Sequence, residues 1–110
     1  MSASDDRRAA VRKPLHTRAV VRVAGRAFEV RTFDISSGGM GIYAEINPKI
    51  GVVIELQCTL LTRTKGPQSV QTTAKVSHSV YSSDGRGFKV GLTFVELDPP
   101  SAQAILLYMG

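Results

Sequence analysis

The stretch Val52-Val53-Ile54-Glu55-Leu56-Gln57-Cys58-Thr59-Leu60-Leu61 decides the fold. Ile54, Leu56, Cys58 and Leu60 fall on one side of it, and Glu55, Gln57 and Thr59 on the other. A two-residue period of this kind is a strand with one face on a core and one in water, because successive side chains of an extended chain point to opposite faces. A helix would need its apolar residues three and four apart. Cys58 then reads as a small core residue and not as a reactive thiol.

The same period recurs on both sides. Residues 70–81 place Val70, Thr72, Ala74, Val76 and Val80 on one face, with His78 among them, and Gln71, Thr73, Lys75 and Ser77 on the other. Lys65-Gly66-Pro67 breaks the chain before that run, and Ser83-Asp84-Gly85 marks a hairpin turn into Phe88, Val90, Leu92 and Phe94. Upstream, residues 15–23 set Ala19, Val21 and Val23 against Arg18, Val20 and Arg22. After a turn at Ala24-Gly25, residues 26–33 set Phe28 and Val30 against Glu29 and Arg31, and the two runs form a hairpin. Residues 40–44 make a short strand before the turn at Asn47-Pro48. Six strands joined by short polar turns predict an all-β fold, a six-stranded antiparallel β-barrel that is closed or nearly so.

Only the end departs from this pattern. Asp98-Pro99-Pro100 is a helix start, with a capping acid and proline in the first turn. Ala102, Ile105, Leu106 and Met109 follow at helical spacing as one apolar stripe. A short C-terminal α-helix over residues 98–110 is expected, docked on the barrel over 15–97 or packed against another subunit.

The totals narrow the function classes. With 110 residues, 43% of them hydrophobic, and no tryptophan, the chain makes one domain with a mainly aliphatic core. No run of about 18 apolar residues exists, so no membrane span is expected. Residues 1–6 read as a disordered tail with no apolar signal region, and a cytoplasmic location is expected. A single cysteine precludes an internal disulfide and a cysteine metal cage. No pair of potential ligands has the spacing of a metal site, so neither metal nor cofactor is expected.

The net charge is +5, and three of those charges lie in the first 18 residues, where Arg7, Arg8, Arg12, Lys13 and Arg18 face only Asp5 and Asp6. Residues 7–14 are basic, lack periodicity and end on Lys13-Pro14, so they read as a mobile arm suited to an anionic partner. Arg-x-x-x-Arg occurs three times, but Arg18/Arg22 and Arg22/Arg26 lie on the first hairpin as a solvated face. Only Arg8/Arg12 lies in the arm.

The second feature is Asp34-Ile35-Ser36-Ser37-Gly38-Gly39-Met40-Gly41-Ile42, between two strands. It packs an acid, two hydroxyls and three glycines where backbone can approach a ligand closely. Its bland reading is a turn in which Asp34 and Ser36 bond local backbone. A triad of Asp34, Ser36 and a histidine can be drawn, yet no nucleophile elbow or oxyanion loop surrounds it, so no enzyme is expected.

Arg8-x-x-x-Arg12, then one hairpin, then Asp34-x-Ser36-x-x-Gly39, six strands and a terminal helix resemble the PilZ domain family, and Val90-Gly91-Leu92-Thr93-Phe94 resembles that family's closing strand. The resemblance implies a receptor for the bacterial second messenger cyclic di-GMP, with Arg7, Arg8, Arg12, Asp34, Ser36, Gly38 and Gly39 as ligand-binding residues. The chemistry agrees. Arginine forks onto phosphate, bonds the O6/N7 edge of guanine and stacks on a base. A carboxylate accepts from guanine N1 and N2, the role expected of Asp34, while Ser36 adds a hydrogen bond and Gly38 and Gly39 admit the base or offer N–H groups. Arg7 before the motif implies, by the same resemblance, two stacked ligand molecules per protomer. The output is expected to pass to a downstream protein partner as the arm is ordered. Two other readings stand beside this one: a small basic barrel for nucleic acid, disfavoured by sparse stacking aromatics, and a PilZ-like adaptor that has lost its ligand.

Overall fold

The computed structural model describes residues 11–110, so the tail expected over 1–6 and the first half of the arm expected over 7–14 lie outside the described residues. In chain order the elements are β1 (Lys13–Pro14), β2 (Arg18–Val23), β3 (Arg26–Ile35), β4 (Gly39–Ala44), β5 (Val53–Thr62), β6 (Gly66–Tyr81), β7 (Phe88–Leu97) and the helix α1 (Pro99–Met109). Around the barrel the strands run β3-β2-β5-β6-β7-β4, every neighbour antiparallel, and β4 pairs back onto β3 to close a six-stranded barrel. Closure leaves no unpaired edge along the barrel wall.

β1 is the first half of an interrupted barrel strand. It lies on the same edge of β3 as β2, with Lys13 opposite Ile35 and Pro14 opposite Asp34. The interruption is stitched by Thr32, buried at 2% exposure, whose hydroxyl donates to the Leu15 carbonyl at 2.6 Å and accepts from the Thr17 N–H at 3.0 Å. The first strand therefore starts two residues earlier than the alternation predicts, and Lys13–Pro14, expected in the arm, belong to the sheet.

β5 alternates as its sequence demands, with Ile54, Leu56, Cys58, Leu60 and Thr62 all turned inward. They meet Ala19 and Val21 from β2, Ile35, Met40 and Ile42 from β3 and β4, Val70, Ala74 and Val76 from β6, and Val90 and Leu92 from β7. Burial pushes the Cys58 thiol up to about 11, as desolvation must when it opposes the thiolate. Phe28 departs from this order: it is 41% exposed, with the Arg26 guanidinium 5.7 Å from its ring centroid.

Two alternations fail for identifiable reasons. In β6 the register against β7 slips between Val76 and His78, and a bulge of this kind turns every later side chain to the other face. His78 and Val80, expected on the apolar face, are both exposed. In α1 the buried residues are Ser101, Ala104 and Ile105, whereas Ala102 is exposed and Leu106 is 65% exposed. The predicted stripe is thus off by one position, about 100° of rotation. The cause is polar: the Ser101 hydroxyl accepts from the Gln71 N–H at 2.8 Å and donates to the Gln71 carbonyl at 3.0 Å, which fixes the helix on β6. Asp98 caps the same turn by accepting from the Ser101 N–H at 2.7 Å.

The last turn of α1 reaches back to β1. The Lys13 ammonium donates to the Tyr108 carbonyl at 2.7 Å and stands 4.6 Å from the centroid of its ring, while the Tyr108 hydroxyl donates to the Pro14 carbonyl at 2.9 Å. Among the described residues, no helix is long and apolar enough to cross a membrane.

Candidate functional site

The loop between β3 and β4 is built around Ser36. Its side chain is 2% exposed, and its Oγ accepts from the N–H groups of Gly38 and Gly39 at 3.2 and 3.1 Å, while the Ser36 N–H donates to the Gly39 carbonyl at 2.9 Å. This is the local serine turn that competes with regular structure, and it ends β3. The Phe94 N–H donates to the Gly38 carbonyl at 2.8 Å and fastens the loop to β7. The two loop glycines differ in kind. A Cβ on Gly39 would lie 2.1 Å from the Leu92 carbonyl oxygen, so only glycine lets β4 pass β7 there. A Cβ on Gly38 would meet no heavy atom within 4 Å.

Arg12 stands at the entrance of β1, and the pairing of Pro14 with Asp34 brings its side chain to the loop. Its Nε donates to Asp34 Oδ2 at 2.8 Å, its Nη2 to Asp34 Oδ1 at 2.9 Å, and its Nη1 to Ser36 Oγ at 3.4 Å. The first two bonds are the bidentate fork that matches guanidinium to carboxylate. The hydrogen bond to Asp34 raises the Arg12 pKa, against the smaller opposing effect of burial. The side chains are 40% and 23% exposed, so water and solutes reach the pair. A half-exposed pair of this kind adds little to folding stability, so it can be rearranged by a ligand at small expense to the fold. Ser36 Oγ is taken up by Arg12 and two backbone N–H groups, the arrangement of a loop anchor and not of a nucleophile.

Beside the pair opens a cleft of about 360 Å³, lined by Arg12 and Ser36, Gly38 and Gly39 on one side and by Ser77, His78 and Gly91 on the other. A larger groove of about 730 Å³ lies elsewhere, where β2, β5 and β6 meet the start of α1. It carries Glu55, Glu96 and Asp98 against a single arginine, Arg22, which is the wrong sign for an anion. The smaller cleft, with a guanidinium at its edge, is the better candidate.

Of the residues singled out from sequence, Arg12, Asp34, Ser36, Gly38 and Gly39 come together here. Arg7 and Arg8 lie outside the described residues. Ser77 and His78 were missed as cleft residues, because strict alternation puts His78 inside the barrel. A histidine interrupting an otherwise apolar strand face was the available sign of a bulge.

Fold and site together define a small closed β-barrel with a guanidinium–carboxylate cleft at the loop between two neighbouring strands. The PilZ domain model matches residues 6–109, and the chain belongs to that family. Among solved structures, the Bacillus subtilis inhibitor of motility MotI/DgrA is similar with a TM-score of 0.78 and 19% identity, over 90% of this chain and 47% of that one. The PlzA protein of Borreliella burgdorferi, solved in complex with c-di-GMP, is similar with a TM-score of 0.62 and 14% identity, over 96% of this chain and 37% of that one. The PilZ domain of Escherichia coli YcgR, solved with c-di-GMP, gives a TM-score of 0.62 and 16% identity, over 94% of this chain and 90% of that one. The chain thus spans under half the length of the MotI/DgrA and PlzA chains it matches. No curated protein matches it.

Proposed function

We propose that this chain is a receptor for cyclic di-GMP, that its ligand lies in the cleft beside Arg12, and that it acts by binding and not by catalysis. The observation that carries the reading is the fork of Arg12 on Asp34, with Ser36 beside it, in a barrel of the PilZ family. PlzA and the YcgR domain, which share the fold, are solved with the same dinucleotide.

Arg12 is already desolvated on one side and aimed by Asp34, so little side-chain entropy remains to be lost when it takes a phosphate or the O6/N7 edge of guanine. A carboxylate has about four acceptor positions, of which Arg12 uses two. The remaining ones can accept the N1 and N2 hydrogens of guanine. Arg7 and Arg8 add charge from the arm, and Arg7 in particular supports two stacked ligands per protomer. Because Lys13–Pro14 are paired in the sheet and Arg12 is already held on Asp34, the ordering by ligand applies to the part of the arm before Arg12 and not to the whole of 7–14. The signal then passes to a downstream protein through the surface that the arm covers or reveals.

The test is a calorimetric titration of the full chain with cyclic di-GMP, with GMP and a single-stranded oligonucleotide as controls. Saturable binding of the cyclic dinucleotide, with two ligands per protomer, is expected. Preference for the oligonucleotide would transfer the case to a nucleic-acid-binding barrel. Binding of none of the three would leave the adaptor reading, and one ligand per protomer would remove the stacked pair.

A further inference from the structure

We propose that His78, laid flat on the backbone of β7 at Gly91, is a stacking shelf for one guanine of the ligand. The inference rests on the receptor reading and adds a contact that neither arginine nor the serine loop supplies.

Three observations carry it. First, the slip between Val76 and His78 turns this histidine out of the barrel and into the cleft that Arg12 borders. Without the bulge its ring would point at the core. Second, His78 pairs with Gly91, and the position of a Cβ on Gly91 is occupied by the imidazole: it would lie 2.1 Å from Cε1, 2.5 Å from Nδ1 and 2.6 Å from Nε2. Near-equal distances to both nitrogens, so close to Cε1, put that point over the face of the ring and not at its edge. The ring therefore lies face-down on the strand, in a place that any residue other than glycine would deny it. Third, His78 remains exposed, so its outer face is open to the cleft.

A planar ring backed by rigid backbone is what base stacking needs. The strand holds its orientation before ligand arrives, and every base has a π-face to offer. Arg12 and Ser36 border the same cleft across from it. A purine between them would have its hydrogen-bonding edge toward Asp34 and Arg12 and one face on His78. Among the described residues that line this cleft, His78 carries the only aromatic ring, so the stacking contribution on that side falls to it.

The experiment is the same titration on four proteins, wild type, His78→Ala, His78→Phe and His78→Trp, each checked by its thermal midpoint. The side chain is exposed, so the variants are expected to fold like wild type. His78→Ala should bind cyclic di-GMP about tenfold more weakly, whereas His78→Phe should stay within about threefold, because it keeps the π-face and loses only the ring nitrogens. The chain has no tryptophan, so His78→Trp introduces a single fluorophore, whose emission should be quenched on binding as guanine stacks on it. Wild-type affinity in His78→Ala would overturn the shelf, as would a loss in His78→Phe equal to that in His78→Ala, which would assign His78 a hydrogen bond or a charge. If wild type itself fails to bind, the receptor reading falls and this proposal with it. Binding by wild type with no effect at His78 removes the shelf alone.

Discussion

Gly38 and Gly39 are neighbours in one loop, and the same substitution at each should have opposite consequences. In Gly39→Ala the new methyl would stand 2.1 Å from the Leu92 carbonyl oxygen and 3.2 Å from the carbon behind it. Relief needs a separation of roughly 1 Å more, and the obstacle is backbone, which no rotamer change can move. β7 cannot retreat freely, because at Leu92 and Thr93 it is paired both to β4, through Met40 and Gly39, and to β6, through Val76 and Lys75. Opening the β4–β7 seam forfeits one or two ladder hydrogen bonds at about 1 kcal/mol each, and residual strain adds about 1–2 kcal/mol. The sum is about 2–4 kcal/mol, which for a domain of this size lowers the thermal midpoint by roughly 10 °C or more. In Gly38→Ala the methyl meets nothing within 4 Å, and the change should stay within about 0.5 kcal/mol. Urea and thermal unfolding followed by far-UV circular dichroism decide the matter. A Gly39→Ala protein as stable as wild type would refute the steric argument, and so would a Gly38→Ala protein that loses as much.

Three further outcomes are expected. Arg12→Ala should weaken cyclic di-GMP binding by about 2 kcal/mol, or some thirtyfold, in calorimetry, yet the half-exposed pair with Asp34 should change unfolding stability by no more than about 1 kcal/mol; a stability loss that accounts for the binding loss would mean the pair is structural. Ser101→Ala leaves the Gln71 backbone groups without their partner and should cost about 2 kcal/mol, with faster amide exchange in α1 than in the barrel as its signature. Cys58 should resist a thiol reagent at pH 8 until the protein is denatured. Its pKa is raised by burial from 9.0 to about 11, so the folded state holds the proton longer than the unfolded one. Its contribution to stability is complete below about pH 9 and falls as pH rises toward 11. Rapid modification of the native protein at pH 8 would contradict that burial.

Much of this architecture is legible in the sequence because a strand's two faces are written as a period of two. Ile54, Leu56, Cys58 and Leu60 could only be the inner face of a sheet, and five further runs of the same kind implied a barrel. The Asp98-Pro99 cap likewise announced α1 from local chemistry alone. The elements of the candidate cleft were legible in part: Asp34, Ser36 and Gly39 stood out as a loop where backbone can approach a ligand closely, and Arg12 as a cation outside the main strand pattern. Their meeting could not be read from spacing. It depends on Pro14 lying opposite Asp34, a pairing set by the course of the whole barrel.

What the tertiary structure decided are the places where a non-local contact outweighs a local period. The bulge in the β6–β7 pairing at His78 turns a residue that alternation assigns to the core into the wall of the cleft. The face of α1 is chosen by the Ser101 hydroxyl on Gln71, 30 residues away, against an apolar stripe that Leu106 would have favoured. The differing tolerance of Gly38 and Gly39 is invisible in two identical letters, because only Gly39 has the backbone of β7 pressed against it. Periodicity determines which side of a strand is wet; only the closed barrel determines what stands on the other side of each residue.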